Sequence, residues 1–195
     1  MYLLTLSGGL RPRSKTLLAV EQAVAFARAA SPSLEAELVN LRDLDLQICD
    51  GREGPYDGDT GELVDKIVRA DALIMGTPMY RGSYTGLLKN VLDVLPDDAL
   101  EGKPVGWIAT GGTDHHFLAI EHELKPVIGG FRAYAIPGAV YANNDHYSDD
   151  ALVDEGVLVR LDELARAVVE FAQRVPRTLV GARPPHIPRR ALADR

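Results

Sequence analysis

Two periods of hydrophobic patterning alternate along this chain. Short apolar runs at residues 2–7, 37–41, 70–76, 104–110 and 133–141 have strand length, and glycine, proline or polar residues bound them. Between them lie residues 15–30, 60–69, 84–95, 115–128 and 150–174, where helix formers dominate. Ser14 and Thr60 stand where N-caps belong, while Ser31-Pro32, Pro96 and Gly129-Gly130 stand where helices stop. Such alternation predicts an α/β protein with a five-stranded parallel sheet covered by helices on both faces. The strand order that suits five strands is 2-1-3-4-5. Residues 42–58 are polar and long for a structureless loop, which predicts a segment beside a site or a partner.

In open parallel sheets ligands bind beyond the carboxyl ends of the strands, so the loops there carry the functional reading. Three of them are glycine-spaced. The first, Ser7-Gly-Gly-Leu-Arg-Pro-Arg-Ser-Lys-Thr16, leads into a helix whose N-terminus offers free amides and partial positive charge. Ser7, Ser14 and Thr16 add hydroxyls, and Arg11, Arg13 and Lys15 add charge. The spacing is neither the dinucleotide Gly-x-Gly-x-x-Gly pattern nor a Walker A loop, and it suits one phosphate better than a pyrophosphate. The second loop, in Ile74-Met-Gly-Thr-Pro-Met-Tyr-Arg-Gly-Ser-Tyr-Thr-Gly-Leu-Leu-Lys89, offers Pro78, Met79, Tyr80, Arg81, Gly82 and Ser83 to a flat ring. Its backbone amides suit the nitrogen and oxygen atoms on a ring edge. The third, Thr110, Gly111, Gly112 and Thr113, would wall the ring's other side. Taken singly, each loop also reads as an ordinary turn. Together they suit a nucleotide with one phosphate and a flat ring.

Composition narrows the classes further. With 195 residues, 46% hydrophobic and 25% charged, the chain suits one domain with a sizeable core. No run approaches the ~20 apolar residues of a membrane span, and the N-terminus lacks the basic start of a signal peptide. Cys49 is the single cysteine, which excludes an internal disulfide framework and fits a cytoplasmic location. A net charge of −7 argues against nucleic acid as a partner. His115 and His116 are adjacent on a predicted helix and point apart, so they do not form an i, i+4 metal pair; no metal ligand set is assigned. No Ser-His-Asp or Gly-x-Ser-x-Gly pattern suggests a hydrolase. No side-chain acid or base is singled out as catalytic. Lys89 and Asp93 are spaced for an i, i+4 ion pair worth a few tenths of a kcal/mol.

These loops, with Tyr84-Thr-Gly-Leu-Leu-Lys89, Leu92-Asp-Val-Leu-Pro96, Ala109-Thr-Gly-Gly-Thr113 and Leu124-Lys-Pro-Val127, resemble the NAD(P)H-dependent FMN reductase family of flavodoxin-like proteins. The nearest likeness is to the reductases of two-component alkanesulfonate monooxygenase systems. It covers residues 1–175 as one flavodoxin-like domain, a three-layer sandwich, and leaves 176–195 as a Pro/Arg-rich tail. The resemblance implies FMN as cofactor and NADPH or NADH as hydride donor. It implies FMN phosphate at Ser14 and Thr16 with Arg11 nearby. The flavin ring would lie at Pro78–Ser83 and Thr110–Thr113. It implies a homodimer or homotetramer built on the helices after strands three and four, Lys89 and Asp93 as cross-subunit partners, and a flavin-dependent monooxygenase as recipient of reduced FMN. An inserted residue near His122, in Ala119-Ile-Glu-His-Glu-Leu-Lys-Pro126, implies a π-bulge at the subunit interface. Gly8-Gly9 stands where the family usually has Gly-Ser, one hydroxyl fewer. Two alternatives remain beside this reading: an FMN-retaining quinone or azo reductase, and a non-catalytic electron carrier.

Overall fold

The computed structural model describes residues 1–51, 54–175 and 181, so most of the 176–195 tail lies outside the described residues. The chain runs β1 (Tyr2–Ser7), α1 (Lys15–Ala30), β2 (Glu35–Asn40), α2 (Gly58–Arg69), β3 (Ala72–Pro78), α3 (Gly86–Asp93) and β4 (Pro104–Thr110). It continues through α4 (Lys125–Gly130), β5 (Tyr134–Ala135), β6 (Val140–Ala142), β7 (Tyr147–Ser148), β8 (Ala151–Leu152) and α5 (Glu155–Arg174). The main sheet has the order β2-β1-β3-β4-β5, every pairing parallel, as the strand–helix alternation predicts for a flavodoxin-like fold.

The fifth strand differs from expectation. Residues 133–141 do not run as one strand: β5 pairs with Pro104–Val105 and β6 with Ile108–Thr110 of the same neighbour, β4. Pro137, which has no N–H to give, and Gly138 at φ 81 interrupt the ladder between them. Two helices also differ. The expected helix 115–128 is a 3₁₀ turn (Asp114–His116), a π-helical turn (Ile120–Leu124) and then α4. Residues 150–154 are not the start of the last helix, because Tyr147–Leu152 forms an antiparallel hairpin and Asp154 caps α5 through Val157 N. Thr60 does not cap α2 either. Asp57 holds that position, and the buried Thr60 hydroxyl accepts from Gln47 N at 2.8 Å, pinning the long 42–57 segment to α2. Asn90 holds the same segment against α3 through Cys49 N and the Gln47 carbonyl, each at 2.8 Å.

Side chains alternate across the strands and build two cores. Leu3, Ile74, Ile108 and Val140 pack with α1 and α5, while Leu4, Leu6, Leu73, Met75 and the fully buried Trp107 face α2, α3 and α4. At two places the helices approach the sheet too closely for a side chain. A Cβ on Gly76 would lie 2.4 Å from Val20 Cγ2, and one on Gly106 would lie 2.8 Å from Val168 Cγ2.

At the sheet's outer edge Glu37 accepts from Lys66 Nζ and from the Tyr2 hydroxyl, each at 2.7 Å. The Lys66 bond, seconded by Tyr2, holds the Glu37 carboxyl below the ordinary carboxylate range. Burial, with the Glu37 bond behind it, pushes the Tyr2 phenol up to about 12. A depressed carboxylate contributes stability above its unfolded pKa and loses it as pH falls through the lower folded value. Glu37→Gln is therefore expected to lower Tm at neutral pH by about 1–3 °C, since a partly exposed pair contributes no more than ~1 kcal/mol. In thermal melts across pH, that difference should shrink as pH falls below the ordinary glutamate value of about 4.3.

Candidate active site

The carboxyl ends of β1, β3 and β4 bring the three loops to one rim. There a cleft of ≈ 420 Å³ is lined by Leu10, Arg11, Arg13, Ser14, Lys15, Thr16, Pro78, Met79, Tyr80, Thr110, Gly111, Gly112 and Asn144. That volume falls within the ~300–1,000 Å³ of small-molecule sites.

The floor is stitched together by bonds between segments far apart in sequence. Gly8 N donates to the Gly76 carbonyl at 2.8 Å, and the Thr85 hydroxyl donates to the Gly8 carbonyl at 3.1 Å while capping α3 through Leu88 N. The buried Thr16 and Thr110 hydroxyls lie 2.6 Å apart, joining the first loop to the third. One of the two must donate to the other, so the acceptor's own proton remains to give to a ligand. Met79 N donates to the Thr110 carbonyl at 2.7 Å, joining the second loop to the third.

Ser14 caps α1, its Oγ accepting from Leu17 N at 3.0 Å. The amides of Lys15 and Thr16, in the helix's first turn, are thereby left for a ligand anion. The Gly8-Gly9 departure now has a local cause. A Cβ on Gly9 would meet Ser14 Oγ at 2.1 Å and Ser14 Cβ at 2.8 Å, so Ser14 occupies the space a serine at 9 would need. At the other wall a Cβ on Gly111 would fall 2.0 Å from the Tyr141 hydroxyl.

Five of the expected site residues lie outside the cleft wall. The Ser7 side chain is fully buried beneath the loop, its Oγ without a protein partner. Tyr80 and Ser83 exchange backbone bonds across a tight turn that carries Arg81 (φ 55) and Gly82 (φ 79) at its tip. Ser83 Oγ reaches Glu123 at 3.1 Å, and the Thr113 carbonyl accepts from the Tyr141 hydroxyl at 2.6 Å. The ring-edge amides are also fewer than the sequence suggests. Met79, Tyr80 and Ser83 spend theirs on Thr110, Ser83 and Tyr80, which leaves those of Arg81 and Gly82. Met79 is itself part of the core, at 5% exposure, whereas Tyr80 is 46% exposed.

Sequence reasoning missed the cleft residues Leu10 and Asn144 and two supporting tyrosines. Tyr141 holds the third loop through Thr113, and Tyr147 holds the first by donating to the Lys15 carbonyl at 3.0 Å. Burial pushes both phenols up, Tyr141 with help from Asp114, so they stay neutral donors. The signal was available: Tyr141 stands at the end of the fifth strand and residues 143–147 follow it at the same rim. Lys89 and Asp93 pair within α3, Nζ to Oδ2 at 2.6 Å, and that bond raises the Lys89 pKa. Among the described residues, no three His, Cys, Asp or Glu side chains gather as a metal site, and no helix is long and apolar enough to cross a membrane.

Known proteins share this fold and much of this sequence. The family model for NADPH-dependent FMN reductase matches residues 1–147. An NAD(P)H-dependent FAD/FMN reductase of Geobacillus thermodenitrificans is 41% identical over 173 residues, covering 88% of this chain and 93% of its own. The NADH-dependent FMN reductase SfnF of Pseudomonas putida is 32% identical over 172 residues, covering 86% of this chain and 90% of its own. Among solved structures, the apo form of an NADH:FMN oxidoreductase (EMOB) superposes with a TM-score of 0.76 at 30% identity, over 91% of this chain and 93% of that one. With the rim geometry and a family match spanning most of its length, this chain belongs to the NADPH-dependent FMN reductases, a family of flavodoxin-like oxidoreductases.

Proposed function

We propose that this protein catalyses NAD(P)H-dependent reduction of FMN and hands the reduced flavin to a partner flavin-dependent monooxygenase. The observation that carries the reading is the convergence of three loops on one cleft whose donors suit a phosphomonoester and a flat ring. FMN fits the residues present: glycines 111 and 112 keep one wall slim, and hydroxyls, helix amides and a guanidinium line the other end. Ser14, Thr16, the first-turn amides of α1 and Arg11 hold the phosphate, with Lys15 alongside. Pro78, Met79 and Tyr80 form one wall against the ring, and Thr110, Gly111 and Gly112 form the other. Arg81 and Gly82 hold their amides at the turn's tip, toward a ring edge beyond the cleft wall. When bound, FMN accepts reducing equivalents from the nicotinamide and carries them to the acceptor. The protein's part is to orient the ring, leave one face open to the nicotinamide, and place donors where negative charge grows on reduction.

The relatives named as FMN reductases support this assignment over a retained-flavin quinone or azo reductase and over an electron carrier. The π-helical turn at Ile120–Leu124, with His122 exposed on it, and the exposed Phe117 and Leu118 beside it support self-assembly into a dimer or tetramer through this face. Steady-state assays with NADH and NADPH, each with excess FMN, test the activity. Nicotinamide absorbance should fall only when flavin is added. No oxidation of either nicotinamide would reject the proposal, and a purified protein carrying stoichiometric yellow flavin would favour the quinone or azo reductase.

A further inference from the structure

The first loop brings three cations to the cleft, yet two are already engaged by residues of another segment, one of them, Asn144, itself in the cleft wall. Arg13 Nη1 sits 2.7 Å from Asp150 Oδ2. Lys15 Nζ donates to Asn144 Oδ1 at 2.8 Å and to the Asn144 carbonyl at 3.3 Å, and it lies 5.1 Å from the Tyr147 ring centroid. All three partners belong to the segment after β6. Asp150 stands in the two-residue turn of the β7–β8 hairpin, which Asp149 closes at φ 49. That hairpin touches α1, and the Tyr147 bond to the Lys15 carbonyl fixes its distance from the loop. The carboxylate of Asp150 and a phosphate on the α1 N-terminus would compete for one guanidinium, because both take its planar donor fork.

We propose that Asp150 sets the affinity for the flavin's phosphomonoester: by holding Arg13, it withholds one loop cation from the ligand and keeps FMN exchangeable. This rests on the reading that FMN phosphate sits at the start of α1. Asp150 thus acts through Arg13 and has no contact with the ring. The ion pair is open to water, its side chains 74% and 54% exposed, which bounds the effect to that of a surface pair.

The test is a double-mutant cycle on the full chain, titrating FMN and riboflavin by the quenching of flavin fluorescence. Asp150→Asn is expected to tighten FMN by about two- to fivefold and to leave riboflavin unchanged. The gain should shrink as salt rises toward about 0.15 M, where exposed charges are screened beyond ~8 Å. It should disappear in an Arg13→Ala background, while Arg13→Ala alone stays within about twofold of wild type. A structural role for the hairpin would move FMN and riboflavin together, and that result overturns the proposal. So does a gain that survives Arg13→Ala, or no gain at all. If the wild type binds neither flavin, the FMN reading itself fails, a result distinct from equal FMN binding by wild type and Asp150→Asn.

Discussion

Gly76→Val is expected to lower Tm by about 6–12 °C, the equivalent of ~3 kcal/mol for a chain of this size. Gly76 lies in β3 directly under α1, where its Cβ would meet Val20 Cγ2 at 2.4 Å and Thr16 Cγ2 at 3.0 Å. The helix cannot back away cheaply. Its first turn is tied to β4 through the Thr16–Thr110 hydroxyl pair and to the hairpin through Tyr147. The Gly76 carbonyl also accepts Gly8 N, so a shift of β3 would reach the first loop of the site. Gly86→Ala is the matched control: that glycine, at the start of α3, has no atom within 4 Å of an added Cβ. It should hold Tm or raise it slightly, through the lost freedom of the unfolded chain. Thermal melts decide the point, and a Gly76→Val protein melting within about 2 °C of wild type would show that the α1–sheet contact is looser than described.

Gly111→Ala is expected to weaken FMN binding by about 30-fold, roughly 2 kcal/mol, with a much smaller loss of Tm. Its Cβ would land 2.0 Å from the Tyr141 hydroxyl and 3.0 Å from Tyr141 Cζ. Either the tyrosine leaves the Thr113 carbonyl or the third loop moves, and in both cases the cleft wall shifts. The loop sits at the rim rather than in a core, so stability suffers less than binding. Tyr141→Phe removes the nearer of the two clashing atoms. Gly111→Ala in that background should recover part of the lost affinity, although each single change weakens binding. Flavin titration of the four proteins gives the answer. Additive losses with no recovery would place the damage elsewhere.

The parts of this fold that were legible in the sequence are those set by local pattern. β1, β3 and β4 are apolar runs ended by glycine or proline turns, and Ser14 caps α1 because a serine precedes a run of helix formers. That the three loops share a rim follows from chain direction alone, since parallel strands put all their carboxyl ends on one side. Long-range bonds were not legible. Nothing near Thr16 announces Thr110, 94 positions away, nor does Ser83 announce Glu123. The ring-loop amides looked free because the sequence does not say that Arg81 and Gly82 turn back sharply enough to pair Tyr80 with Ser83. Pro137-Gly138 carried a readable break in the fifth strand, and the apolar residues on either side masked it. Nor does anything near Asp150 announce Arg13 in the site's first loop, which its carboxylate reaches.

A crystal structure of the FMN complex bears most directly on the claim that these turns grip one flavin. The phosphate should lie on the amides of Lys15 and Thr16 beside Ser14 and Arg11, with the ring between Pro78–Tyr80 and Thr110–Gly112. Flavin density in the neighbouring ≈ 390 Å³ cavity lined by Asp114, Phe117, His146 and Arg160 instead, or none at the α1 N-terminus at saturating FMN, would contradict it.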